Sequence, residues 1–436
     1  MITTDQPRGD WDEFQHCPWW KRPSPWCADP KVQAGAASFM AAMMALGGMI
    51  SCFTAPVWGS LSDRRGRVFV QRLYAFGPFL SNFVYILVLL SHSRYPIGRH
   101  GIVLATAIEG FFAVGTVTVS RAYIADVTEP DVRSKWYTFL QGADYIGSAV
   151  GPFISSTIAH FTGNILGVYS FALSTHFFFL AATWLVIPES LQPAQLKASQ
   201  AIRQRQLVEH QIPKTGLLSR AKAASWSVVE PLSIFLPSKH SFGITSKELE
   251  RRNWDLMLLG LAYFPDTLIV YGIGIYDWTT EEVGVVLSLN AMAKVIFCLV
   301  FLPWIISTCR PTSAPLPLRS STLSDTENTS LLAPTYSELT TAHDRGVKWD
   351  LGLARVSVVL AAGAIVVLGL AQTSTVFIFG ILFVCLGSGF VPTVQSISLE
   401  FYRRRGGTES GSLFGALAVI NVFGLVPSIT YSAPQY

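Results

Sequence analysis

The stretch AGAASFMAAMMALGGMISCFTAPVWGSLSDRRGR, Ala34 to Arg67, decides how the chain is built. Its first 25 residues, to Trp58, hold no charged side chain, and Arg64, Arg65 and Arg67 crowd its end. About 20 apolar residues at 1.5 Å each cross ~30 Å of hydrocarbon, so this is one membrane helix followed by a tight basic turn. Working outward, similar stretches recur. We read spans at Ala34 to Trp58, Phe69 to Ser91, Gly101 to Ile124, Trp136 to Phe161, Ile165 to Ile187, Asp255 to Tyr276, Val283 to Ser307, Leu351 to Ala371, Thr375 to Leu399 and Ser412 to Tyr431. Period-two alternation is absent, so the spans are helices, whose backbones satisfy themselves in lipid.

Composition agrees with about ten spans. Half of the 436 residues are hydrophobic and only 14% are charged, with a mean hydropathy of +0.40. A soluble enzyme of this size needs nearer 25% charge to cover its surface. The 6 cysteines have no paired spacing, which excludes a disulfide-stapled fold. The net charge of +4 fits basic cytoplasmic loops, and no basic, aromatic-interleaved patch points to nucleic acid. Fold class is therefore all-α, a polytopic membrane protein.

Lys and Arg collect on the cytoplasmic side of a membrane. Arg64, Arg65, Arg67 and Arg72, then Arg133 and Lys135, then Arg403, Arg404 and Arg405 lie in loops on one side. The turns at Thr162 to Asn164, Asp277 to Glu282 and Gln372 to Ser374 contain neither residue and face outward. Domain organisation follows: a polar tail at 1–33, a helical bundle at 34–187, a basic cytoplasmic linker at 188–252, and a second bundle at 253–436 carrying a Ser-, Thr- and Pro-rich disordered loop at 309–350. That loop holds ENTSLL (Glu327 to Leu332) and YSEL (Tyr336 to Leu339), which fit short sorting patterns that also arise by chance. The tail, with Arg8, Lys21 and Arg22, falls outside on this count, as if one span were missing.

In GSLSDRRGR the glycines permit a tight turn and close helix approach, and Asp63 can face a helix N-terminus while Arg64 and Arg67 hold it. With Gly59, Asp63, Arg64, Gly66 and Arg67 in place, the stretch resembles the loop between the second and third helices of the major facilitator superfamily; Val68 stands where a further basic residue is usual. GSAVGP, Gly147 to Pro152, resembles the helix-packing motif of that superfamily's antiporters, with Gly147 and Gly151 for close packing and Pro152 for a kink. SRAYIADVTEPDVRSKWY, Ser120 to Tyr137, is similar to a connection in tetracycline-type and fungal multidrug exporters.

The resemblance implies two helical bundles, alternating access, and a drug:proton antiporter in a plasma or vacuolar membrane. Its partners are the bilayer, a small organic molecule and protons; no cofactor, metal or oligomer is implied. Our ten spans correspond to family helices two to eleven, so the first and last are expected to be absent. A nutrient uptake permease, or a truncated non-transporting paralogue, are the other readings.

Ionisable groups inside a membrane are expensive and mark function. Glu109, near mid-depth in the third span, is the first candidate proton carrier, or else hydrogen-bonds a neighbour. The Arg usual four residues before the motif glycine is here Thr106, before Gly110. Asp144 with Tyr145 is a second candidate; Asp266 after Pro265, with Lys294 as its partner or as a snorkelling cation, is a third. His176, among phenylalanines, is read as a core residue. With no phosphate loop, nucleophile motif or metal pair, an enzyme has no residues to carry it.

Overall fold

A computed structural model describes residues 30–91, 98–191, 280–311 and 336–431, with scattered positions in 193–204. The expected span at Asp255 to Tyr276, with Asp266, Tyr263 and Tyr271, lies outside the described residues, as do most of the tail and linker. Among the described residues every regular element is helical: α1 (Pro30–Arg65), α2 (Arg67–Leu90), α3 (Gly98–Val127), α4 (Pro130–Thr162), α5 (Ile165–Leu185), α6 (Thr280–Ile296), α7 (Leu302–Cys309), α8 (Tyr336–Gly369), α9 (Ser374–Val384), α10 (Phe390–Arg404) and α11 (Ser410–Tyr431).

Local chemistry sets the breaks. Gly66, at φ 103°, ends the run of α1 and starts α2, a conformation open essentially to glycine. Gly163 closes α4 in the left-handed region at φ 63°. Asn164 then caps α5 by accepting from the Leu166 N–H at 2.9 Å, the usual task of a short polar side chain at an N-cap. Two expected single spans are each divided. A π-helical turn, Phe297–Phe301, joins α6 to α7, and a 3₁₀ segment, Cys385–Gly389, joins α9 to α10 where the sequence CLGSG weakens the α-helix.

Among the described residues seven helical stretches are long and apolar enough to cross a membrane: Ser38–Arg65, Arg67–Leu90, His100–Val127, Ile165–Leu185, Val285–Cys309, Arg345–Gly369 and Ser374–Arg404. At 33 residues α4 has ample length but carries Gln141, Asp144, Ser148, Ser155 and Ser156, which dilute its hydropathy. The cytoplasmic loop expected to run to Asp350 needs correcting, since α8 is already helical from Tyr336. The reason is tertiary: Asp350, 2% exposed, pairs with Arg310 at 3.2 Å, which holds the helix together beyond its apolar stretch.

Helices α1 and α11 pack along each other, α3 lies beside α1 and α2, α4 packs against α6, and α8 against α9 and α10. The first-half helices thus meet the second-half ones chiefly through α1 with α11 and α4 with α6, and also through α4 with α10 and α3 with α11. Glycines make the first pair intimate: a Cβ on Gly59 would run into the backbone of Gly411, and one on Gly415 would sit 2.8 Å from the Ala55 carbonyl oxygen. Such contacts need small residues, as is usual where helices associate in lipid.

Candidate functional site

At the basic end, Arg67 is a hub. Nη1 lies 2.6 Å from the Asp63 carboxylate and donates to Ser62 Oγ at 2.7 Å. Nε donates to Asp126 Oδ2 at 2.8 Å, and Nη2 to Ser410 Oγ at 2.8 Å. Every guanidinium nitrogen is used, so a side chain only 1% exposed stays charged at tolerable cost. The Asp63 carboxylate, on the other side, accepts from the backbone N–H groups of Gly411 at 2.9 Å and Ser412 at 2.8 Å. Those are unsatisfied donors in the first turn of α11, where the helix dipole favours an anion.

The next chain segment locks the same corner. Glu189, just after α5, accepts from the Arg67 N–H at 2.8 Å and the Val68 N–H at 3.1 Å, and so caps α2. A Cβ on Gly66 would lie 2.6 Å from that carboxylate. Linker residue Gln200 reaches back to the Arg64 carbonyl at 3.0 Å. Of the two arginines expected to hold Asp63, Arg67 pairs with it directly.

A second tie joins the end of α7 to the start of α4. Arg310 donates to the Asp131 carbonyl, to Ser134 Oγ at 3.1 Å and to the Pro130 carbonyl at 3.3 Å, while pairing with Asp350. Between the two ties lies an apolar plug, Ala122, Ala125, Tyr137, Leu399, Leu413, Phe414, Ala416 and Leu417, drawn from α3, α4, α10 and α11.

Immediately beyond the plug lies a cavity of about 610 Å³. Val117 and Arg121 of α3, Gln141, Asp144 and Tyr145 of α4, and Lys294 of α6 form part of its wall. Mostly apolar residues of α3, α8, α9, α10 and α11 and of the 3₁₀ segment form the rest, interrupted by Ser388 and Asn421. On α3, α4, α10 and α11, which supply both, the cavity residues lie farther from the basic end than the plug residues. The plug thus stands between the cavity and the basic end.

The sequence candidates fall in different places. Asp144, Tyr145 and Lys294 come together, with the Lys294 Nζ 5.4 Å over the Tyr145 ring. Glu109 is exposed, one turn along α3 from the lining residue Ala113; Tyr74 of α2 lies within electrostatic reach of both Glu109 and Asp144. Thr106, standing where an Arg was expected, shares a hydrogen bond with Tyr85 at 3.2 Å. Gly147 and Gly151 have open space where a Cβ would be, and Pro152 is exposed. The tight contact on α4 is at Gly142, which sits against Leu299 and Cys298 of the π turn. Sequence reasoning missed Asp126, Glu189, Arg310 and the serines at 410 and 412, although an acidic residue directly after an apolar span, as in IPES, is a signal that could have found Glu189.

The sequence model of the Major Facilitator Superfamily matches residues 29–323, more than half of the chain. The chain belongs to the Major Facilitator Superfamily. It is therefore a multi-pass membrane protein of a transporter family, not an enzyme. Among relatives of this superfamily member, an uncharacterized membrane protein of Schizosaccharomyces pombe is 24% identical over 444 residues, covering 92% of this chain and 65% of that protein. The MFS efflux pump atnC of Emericella nidulans is 26% identical over 412 residues, covering 93% of this chain and 70% of the pump. The chain thus spans about two thirds of the length of these relatives. The crystal structure of the human organic anion transporter MFSD10 shares the fold at a TM-score of 0.60 and 16% identity, covering 94% of this chain and 85% of that one.

Proposed function

We propose that this superfamily member exports small organic molecules from the cytosol in exchange for protons, by alternating access. The observation that carries the reading is the cavity lined from both halves, with the plug between it and the basic end. Bundles 34–187 and 253–436 rock about it, as in folds built from paired repeats. Releasing Asp63 from the N-terminus of α11 frees α1 from α11, and the uncovered face of α4 at Gly147, Gly151 and Pro152 is then available to close the other end. Glu109 and Asp144 supply carboxyls that alternate between carrying a proton and a charge as access changes. Similarity to an efflux pump favours the outward direction. A place in the plasma or vacuolar membrane belongs to the same reading, since export from the cytosol serves either.

Proteoliposomes test this with a panel of fluorescent aromatic compounds of both charge signs. An inside-acid pH gradient should drive accumulation of at least one of them. Accumulation only under an outside-acid gradient would make the protein a symporting uptake permease, and none in either case would make it non-transporting.

A further inference from the structure

Lys294 sits in the membrane-spanning part of α6 and faces the cavity, where a charge is costly unless something uses it. Among the described residues it makes no ion pair, and its one ring contact is with Tyr145. The other two charged groups of the wall, Arg121 and Asp144, lie within electrostatic reach of each other. Among the described residues their charges offset, leaving Lys294 as the surplus cation there. Its placement is built. Gly142 packs on Leu299 and Cys298 without room for a Cβ, and α4 and α6 run antiparallel. One turn farther from the basic end on each helix, Tyr145 and Lys294 therefore face one another.

The helices are also irregular here. The π turn Phe297–Phe301 begins three residues after Lys294 and touches the 3₁₀ segment Cys385–Gly389, whose Gly387 and Ser388 line the same cavity. Non-α backbone at membrane depth persists where it is buried in protein or lines an aqueous cavity, and it is frequent at binding sites. Helix α8 adds an apolar face to the wall, from Val358, Ala361, Ala362 and Ile365.

From the pairing of Lys294 with Tyr145 beside the apolar face of α8 we infer that the cavity selects an aromatic organic anion, its acid group on Lys294 and its ring on Tyr145. The inference rests on the cavity being the transport site. It requires no proton coupling.

The test uses the full-length protein with its native cysteines replaced by serine and A362C introduced on the wall. Rates of modification by an anionic (sulfonatoethyl) and a cationic (trimethylammonioethyl) methanethiosulfonate are each normalised to a free thiol. We expect the anionic reagent to be favoured, K294M to cut that preference at least about fivefold, the size a unit charge a few ångströms away imparts between water and protein, and K294R to keep it. Fluorescein should protect the cysteine better than rhodamine 123, and K294M should abolish the difference. A preference for the cationic reagent, a ratio unchanged by K294M, or equal protection by the two dyes would overturn the inference. None of these readouts needs transport, so a failure of proton-coupled export leaves them interpretable.

Discussion

Asp63 and Ser412 are 349 residues apart in sequence, yet the Asp63 carboxylate accepts from both the backbone N–H of Ser412 at 2.8 Å and its hydroxyl at 3.1 Å. A side chain at the end of α1 thus completes the first turn of α11. The contact joins the first-half and second-half helices at the end where the arginines collect. Carboxylates so placed contribute ~0.3–1 kcal/mol at a surface and up to ~2 kcal/mol when partly buried.

Replacing Asp63 by Asn keeps a weak acceptor but removes one of the two carboxylates paired with Arg67, leaving Asp126 to offset the buried cation alone. We expect a loss of ~1–3 kcal/mol from the closed form. Labelling of L417C in the plug by an impermeant maleimide from the basic side should rise severalfold in D63N. Unchanged labelling would mean the plug holds without this contact.

The glycines separate into two classes. G59A should lower thermal stability and transport together, because the new Cβ meets the Gly411 backbone, which cannot yield as a side chain would. G147A and G151A meet open space and should stay within about 0.5 kcal/mol of wild type in a thermal unfolding assay in detergent. If all three variants behave alike, the close approach of α1 and α11 is not what holds this end.

Gly66 and Glu189 form one unit at the start of α2. G66A should cost ~1–3 kcal/mol, since a φ of 103° with a ψ of 153° is nearly closed to other residues. E189A should cost ~1 kcal/mol for the lost cap, and E189Q less. Combining G66A with E189A removes the clash, so the double variant should be more stable than the sum of the singles predicts. Strict additivity in unfolding midpoints would contradict the geometry.

For the second tie, R310A leaves Asp350 buried beside a lost partner and should destabilise by ~3–5 kcal/mol. R310K, lacking the planar fork that reaches several acceptors at once, should recover only part. A double-mutant cycle of R310A with D350N should give a coupling of ~0.5–3 kcal/mol; a value near zero would show that the Pro130, Asp131 and Ser134 contacts carry the tie alone.

Much of this molecule can be read from local pattern. Hydropathy locates the spans because each satisfies its backbone internally, and the Asp63 to Arg67 cluster is recognisable from a few spaced residues. What hydropathy misses is informative. The polar side chains that dilute the hydropathy of α4 include Gln141 and Asp144, which belong to the cavity wall. The start of α8 at Tyr336 was not visible because the Arg310–Asp350 pair that supports it is tertiary. For the same reason Asp126, Glu189 and Ser410 pass for ordinary polar residues at span ends until the fold brings them to Arg67. The breaks inside α6–α7 and α9–α10 depend on how Gly142 and the 3₁₀ segment meet the π turn, which periodicity does not encode.

The most direct test of proton-coupled exchange is Glu109→Gln in proteoliposomes, using whichever dye the wild type accumulates under an inside-acid gradient. The account predicts that E109Q loses gradient-driven accumulation by at least about tenfold, the effect of ~1.4 kcal/mol, while still exchanging dye across the membrane when no gradient is present. Gradient-driven accumulation that persists in E109Q and is lost only in D144N would move the proton to the cavity wall, and accumulation that survives E109Q and D144N combined would contradict carboxyl-carried proton exchange altogether.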